Sequence, residues 1–159
     1  MVKLMGAKLK LAPMQMADLD EVMAIENDAQ SHPWSKGNFI DSLEHDYDAW
    51  VVRTLDDVML GYFVQMPVVD EMQLLTIAVK KEMQGQGIGA FLLGHVIEQA
   101  KLSQMEAVSL EVRVSNLRAL SVYKTFGFLL VGRRKNYYVT GQKQHEDALI
   151  LRYLLSHSD

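Results

Sequence analysis

The sequence predicts an α/β (α+β) fold. It reads as one domain over residues 1–159, built on a mixed, mostly antiparallel central sheet of six to seven strands with helices on both faces. Three observations carry that expectation. Apolar, β-rich runs separated by a turn signal fill the middle of the chain. Two helical segments each follow a strand in the second half, which predicts parallel crossover units. No internal repeat or low-complexity linker divides the 159 residues, a length that suits one sizeable core.

The elements follow in order. Lys8 to Ala12 alternates charged and apolar residues and reads as a short strand. A helix begins at Ala17-Asp18 with Leu19, Val22, Met23 and Glu26 on one face. Asp18 is its expected N-cap, and Glu21 three residues on completes a capping box. Ser31-His32-Pro33-Trp34-Ser35 breaks the pattern, and Ser35 is placed to cap a short second helix carrying Phe39, Ile40 and Leu43. Ala49–Thr54 and Met59–Val69 form a hairpin around Leu55-Asp56-Asp57. Leu74–Val79 is a buried strand, and Phe91–Ala100 repeats at helical spacing. A strand over Ala107–Val112 leads to a helix from Asn116 to Phe126, which Gly127 ends. Phe128–Gly132 and Ala148–Leu155 are the last two strands.

Composition removes several functions. The net charge of −4 gives no global basic field to gather nucleic acid. Arg133-Arg134-Lys135 reads as a solvated strand edge. Absence of cysteine excludes disulfides, thiolate nucleophiles and cysteine zinc sites, and agrees with a reducing cytoplasm. The five histidines lack metal-ligand spacing, so no metal is expected; His95 reads as a helix-surface or satisfied residue. No apolar stretch is long enough to span a membrane, and Met1–Pro13 lacks the apolar core of a secretory leader.

Gln84-Gly85-Gln86-Gly87-Ile88-Gly89-Ala90 is the most informative stretch. Three glycines on alternate positions lie where a strand feeds a helix. Such a turn lets N–H groups converge at a helix N-terminus, where phosphates bind. A tight turn that binds nothing would use the same glycines. The P-loop pattern fails, because no Gly-Lys-Ser/Thr occurs. The dinucleotide fingerprint fits Gly85–Ala90, with Glu111 about where a ribose ligand would lie. Against it, Lys80–Gln84 separates the turn from its strand, and little chain remains after Ala90.

Glu111 stands in the apolar run Val108-Ser109-Leu110-Glu111-Val112. A carboxylate there is costly to bury as an anion. It is either a working acid–base group or a strand residue satisfied by Arg113 or a backbone donor. Asn116, Leu120 and Tyr123 share one face of the next helix, with Asn116 suited to its cap. Tyr123 is either a core ring or a phenol at a site. Crossover rules place the glycine turn, Glu111 and Tyr123 in adjacent elements at one edge of the sheet.

These residues carry a resemblance. Gln84-Gly85-Gln86-Gly87-Ile88-Gly89 resembles the acetyl-CoA signature Q/R-x-x-G-x-G/A of GNAT-superfamily N-acetyltransferases. Further matches are His32-Pro33-Trp34-Ser35, Leu110 to Asn116, Leu120-Ser121-Val122-Tyr123 before Phe126-Gly127-Phe128, Arg133 to Tyr138, and Glu146-Asp147-Ala148. They resemble the branch that acetylates the N-terminal alanine of a small-subunit ribosomal protein. The resemblance implies acetyl-CoA as cosubstrate, no metal, and a protein N-terminus as acceptor. It implies that Ile77, Ala78 and Val79 hydrogen-bond the pantetheine arm, and that Gly85, Gln86, Gly87, Ile88, Gly89 and Ala90 bind the pyrophosphate. By the same likeness Glu111 is the general base, Asn116 a CoA contact, and Tyr123 the acid toward the departing thiolate. Acetylation of a lysine or small amine, and a non-enzymatic acetyl-CoA-binding module, remain the alternatives. Pro33-Trp34 either walls the acceptor groove or staples the first helix to the sheet.

Overall fold

The structure, a computed structural model, describes residues 8–141 and 144–156. Residues 1–7, part of the segment read as lacking a leader, lie outside the described residues. Seven strands follow the hydrogen-bonded order β1-β2-β3-β4-β5-β7-β6, where β1 is Leu9–Pro13, β2 Asp48–Thr54, β3 Met59–Val68, β4 Glu71–Val79, β5 Ala107–Arg113, β6 Leu129–Gly141 and β7 Gln144–Leu154. The helices are α1 (Leu19–Ala29), α2 (Lys36–Glu44), α3 (Ile88–Leu102) and α4 (Leu117–Phe126). The chain packs as two compact units. One takes in the described residues through Met66 with Leu75–Val96; the other takes in Pro67–Leu74 and the described residues from Ile97 on.

In the first unit β1 pairs antiparallel with β2, and β2 with β3. Side chains alternate across these strands. Ala49, Val51, Tyr62 and Val64 join Leu19, Val22 and Ile25 of α1 and Phe39 of α2 in one apolar cluster. Their strand neighbours turn the other way, toward α3. The Trp50 and Phe63 rings lie 4.6 and 5.9 Å from that of His95, and the Gln65 side-chain amide donates to the Val96 carbonyl at 3.2 Å. The first unit therefore carries helices on both faces of its strands. Burying each large apolar side chain of this kind contributes about 1.5–3 kcal/mol.

The second unit is framed differently. Glu71–Leu74 of β4 pairs parallel with Ala107–Leu110 of β5. β7 then runs antiparallel to β5, and β6 antiparallel to β7. Phe126 of α4, Phe128 and Tyr153 of β7 stack with centroids 5.5 to 6.2 Å apart.

Several expectations are corrected. Asp18 ends a 3-10 turn and makes no side-chain cap to α1. It accepts instead from the Gln15 N–H and pairs with Arg53, which also holds Glu21. Ser35 does cap α2, with Asn38 as the reciprocal partner. Both crossovers lead to a parallel strand, but β6 is not the neighbour of β5, because β7 inserts between them. The last two strands are also much longer than their apolar runs suggested.

Candidate functional site

The first unit supplies a main-chain site. β4 ends at Val79, a 3-10 turn spans Lys81–Met83, and α3 starts at Ile88. Gly85 and Gly87 have φ of +81° and +89°, a region L side chains rarely adopt. A Cβ at either position would meet nothing within 4 Å, so conformation rather than crowding calls for glycine, and open space lies beside the turn. The first N–H groups of a helix have no intrahelical acceptor. Here the Phe91 N–H bonds to the Gly87 carbonyl, leaving the N–H groups before it for the turn. Backbone donors and open room fit a pyrophosphate.

Gln84, which opens the glycine signature, and Gln30, which the sequence did not single out, both act on strand carbonyls. Gln84 donates its side-chain amide to the Val79 carbonyl at 3.1 Å, and Gln30 donates to the Ile77 carbonyl at 3.1 Å. The β4–β5 ladder ends at Leu74, so Ile77, Ala78 and Val79 lie beyond it. Trp34 packs against the α1–α2 cluster, its ring 5.0 Å from Phe39, as a staple would. The Trp34 backbone N–H donates to Glu26, which is only 1% exposed and also accepts from the Tyr62 hydroxyl at 2.8 Å. Burial, partly offset by these donors, raises the Glu26 carboxyl above its ordinary value. It also drives the Tyr62 phenol up, with help from Glu26.

The second unit supplies side-chain chemistry. Glu111 on β5 is 14% exposed and pairs with Arg134 of β6 at 3.1 Å. The Tyr137 hydroxyl donates to the same carboxylate. Arg134 is thus an exposed residue of the edge strand that also reaches Glu111, and the ion-pair partner of Arg113 is Glu146. Arg113 pairs with Glu146 at 3.0 Å and lies 4.2 Å over the Tyr138 ring. Glu71 and Arg152 form a further ion pair at 2.7 Å. A cavity of about 470 Å³ opens on this face, lined by Gln73, Ser109, Glu111, Arg134 and Arg152 among others. That volume lies within the range of small-ligand sites.

Asn116 caps α4, its side-chain oxygen accepting from the Ala119 N–H at 3.2 Å. Tyr123 is partly buried, with its ring 5.6 Å from Phe128. Burial first, and Tyr138 second, push its phenol well above the usual value. Among the described residues no cluster of His, Cys, Asp or Glu could hold a metal, and no helix is long and apolar enough to cross a membrane.

Comparison with known proteins finds a family match and several relatives. Residues 19–128 match the model of the acetyltransferase (GNAT) family. The ribosomal protein bS18-alanine N-acetyltransferase of Salmonella typhimurium is 36% identical over 139 residues, covering 87% of this chain and 93% of its own. The crystal structure of the ribosomal-protein-S18-alanine N-acetyltransferase from Escherichia coli superimposes with a TM-score of 0.84 at 30% identity, over 96% of this chain and 97% of that one. Ard1 from Thermoplasma volcanium shares the fold, with a TM-score of 0.82 at 20% identity over 94% and 99% of the two chains.

Proposed function

Because this chain belongs to the GNAT acetyltransferase family, we propose that it moves the acetyl group of acetyl-CoA to the N-terminal α-amine of a ribosomal protein, an N-terminal alanine of bS18. The chain works as a single N-acetyltransferase domain over residues 1–159, in the cytoplasm. The observation that carries the acceptor chemistry is the Glu111 carboxylate, facing a cavity on the second unit.

The physical argument starts from the amine, which must be neutral to attack. An α-amine with a pKa near 8 is about one-tenth neutral at pH 7, a cost of about 1.4 kcal/mol. A lysine amine in the same terms costs about 4.6 kcal/mol. One carboxylate, acting directly or through a water, is an adequate base for the first.

In the first unit the Gly85–Ala90 turn holds the pyrophosphate on main-chain donors. Ile77, Ala78 and Val79 bond the pantetheine arm, and the amides of Gln84 and Gln30 fix the strand carbonyls there. In the second unit Glu111 takes the proton as the amine nitrogen bonds the thioester carbon. Collapse of the tetrahedral intermediate breaks the carbon–sulfur bond and leaves a thiolate. Tyr123 answers the sulfur charge. Its raised phenol makes full proton delivery uphill, so the hydroxyl works first as a hydrogen-bond donor. Asn116 fixes the start of α4 and contacts CoA.

Mass spectrometry of a bS18 N-terminal peptide incubated with enzyme and acetyl-CoA tests this reading. One acetyl group on the α-amine is expected. Modification confined to a lysine side chain or a polyamine control would overturn the acceptor assignment.

A further inference from the structure

Arg134 and Tyr137 reach one carboxylate although their spacing forbids it in a regular strand. Residues three apart on a β-strand point to opposite faces. Ladder register shows how the rule is broken. Arg134 pairs with Ala148 and Tyr138 with Glu146, so Lys135, Asn136 and Tyr137 lie opposite Asp147 alone. This bulge carries two extra residues and turns the side chains beyond Arg134 to new directions. Asn136 sits at φ +55°, a conformation asparagine tolerates.

Asp147 fastens the bulge. One carboxylate oxygen accepts from the Asn136 N–H at 2.9 Å, and the other pairs with the Arg133 guanidinium. Register also shows why β6 can reach β5. Ala148 of β7 stands opposite both Arg113 and Arg134, and its methyl leaves the long Arg134 side chain a path across β7. Arg113 on Glu111's own strand is engaged by Glu146, so the donors to Glu111 come from the bulge.

We propose that the β6 bulge, latched by Asp147, is a positioning device for Glu111, with Arg134 and Tyr137 as its positioning residues. The inference rests on Glu111 acting as the base. A glutamate side chain has three free torsions, and an unfixed carboxylate meets the amine proton in few of its rotamers. Two directional donors, themselves held by a pinned backbone, restrict it to one. A small misplacement of a reacting group costs orders of magnitude in rate.

Double-mutant kinetics tests the device. Tyr137→Phe and Asp147→Ala are each made in the wild-type and in the Glu111→Gln background. Acetylation of the bS18 N-terminal peptide is followed by mass spectrometry at saturating acetyl-CoA, with long incubations for the slow variants. Tyr137→Phe is expected to lower kcat about tenfold, keep the peptide KM within about twofold, and add no further loss in Glu111→Gln. Asp147→Ala is expected to follow the same pattern with a larger loss, because both donors are released. Equal fold-losses in the two backgrounds, a change in peptide KM alone, or no loss in Tyr137→Phe would overturn the proposal. Thermal unfolding identifies a misfolded Asp147→Ala, and Tyr137→Phe then carries the test alone. Full turnover by Glu111→Gln by itself would instead fell the assignment of the base.

Discussion

The two units present their chemistry through different parts of the polypeptide. In the first, the groups proposed to face the ligand are main chain: the turn at Gly85–Gly87, the start of α3, and strand carbonyls held by Gln84 and Gln30. Its one buried carboxylate, Glu26, is satisfied by neutral donors. In the second, ion pairs and tyrosines crowd one region: Glu111 with Arg134, Arg113 with Glu146, Arg133 with Asp147, and Glu71 with Arg152. Main-chain sites fix shape and suit a ligand that is always the same. Side-chain charge can be arranged around a proton in transit. Substitutions in the first unit should therefore change binding and stability, and those in the second should change turnover.

The largest effect expected from this contrast is at Glu111. Glu111→Gln should lower kcat by roughly 10²–10⁴-fold near neutral pH while calorimetry finds acetyl-CoA affinity kept. Rate should partly return at higher pH, where more acceptor is already neutral. An unchanged kcat would make Glu111 a structural strand residue and dissolve the contrast.

Next comes Tyr123→Phe, which keeps the ring against Phe128 and removes only the hydroxyl. One transition-state donor is worth roughly 10²–10³ in rate, lost from kcat and kcat/KM together. Normal kcat in this variant would show that solvent or another group protonates the thiolate.

Gly87→Asp probes the first unit. It forces a side chain into φ +89° and adds an anion beside the helix N-terminus. Acetyl-CoA affinity should fall by about 10- to 100-fold, measured by calorimetry on folded protein. Wild-type affinity would remove the turn from the site.

The smallest effect concerns pH. Glu26 has its folded pKa raised above the ordinary 4.5, chiefly by burial. The folded state then binds more protons than the unfolded state between the two values, so stability falls as pH rises through that window. Urea unfolding from pH 4.5 upward should show this slope, and Glu26→Gln should flatten it. An unaltered slope would place the titration elsewhere.

Local patterns made much of this architecture legible. Element order follows the apolar periodicity, Ser35 caps α2 as its position before the helix suggests, and the glycine spacing marks a turn whose φ values are positive at two of its three glycines. Longer-range facts were hidden for identifiable reasons. Asp18 and Glu21 fit a capping box, but Arg53, 35 residues past Asp18, competes for both carboxylates. Arg134 sits in a basic run with its side chain 54% exposed, and its partner is visible only once β7 is known to separate β6 from β5. Tyr137 carried a spacing that argued against sharing a face with Arg134, and only the bulge reverses it. Gln30 and Gln84 act on carbonyls, which sequence patterns do not register.

The insertion of β7 between β5 and β6 also bears on how the chain is made. Synthesis proceeds at roughly 5–20 residues per second, N-terminal segments first. Most of the first unit can collapse early, since β1, β2 and β3 are joined by ladders between successive strands. The second unit waits. One hydrogen-bonding edge of β5 and the partner edge of β6 stay open until Gln144–Leu154 has left the ribosome and slipped between them. Open strand edges recruit other strands. A nascent chain stalled after β6 would carry two of them, together with the exposed Leu129, Leu130 and Val131 of β6. Completion of this fold is thus a late, non-local event, and the strand that completes it also carries Asp147, which fastens the bulge at Glu111.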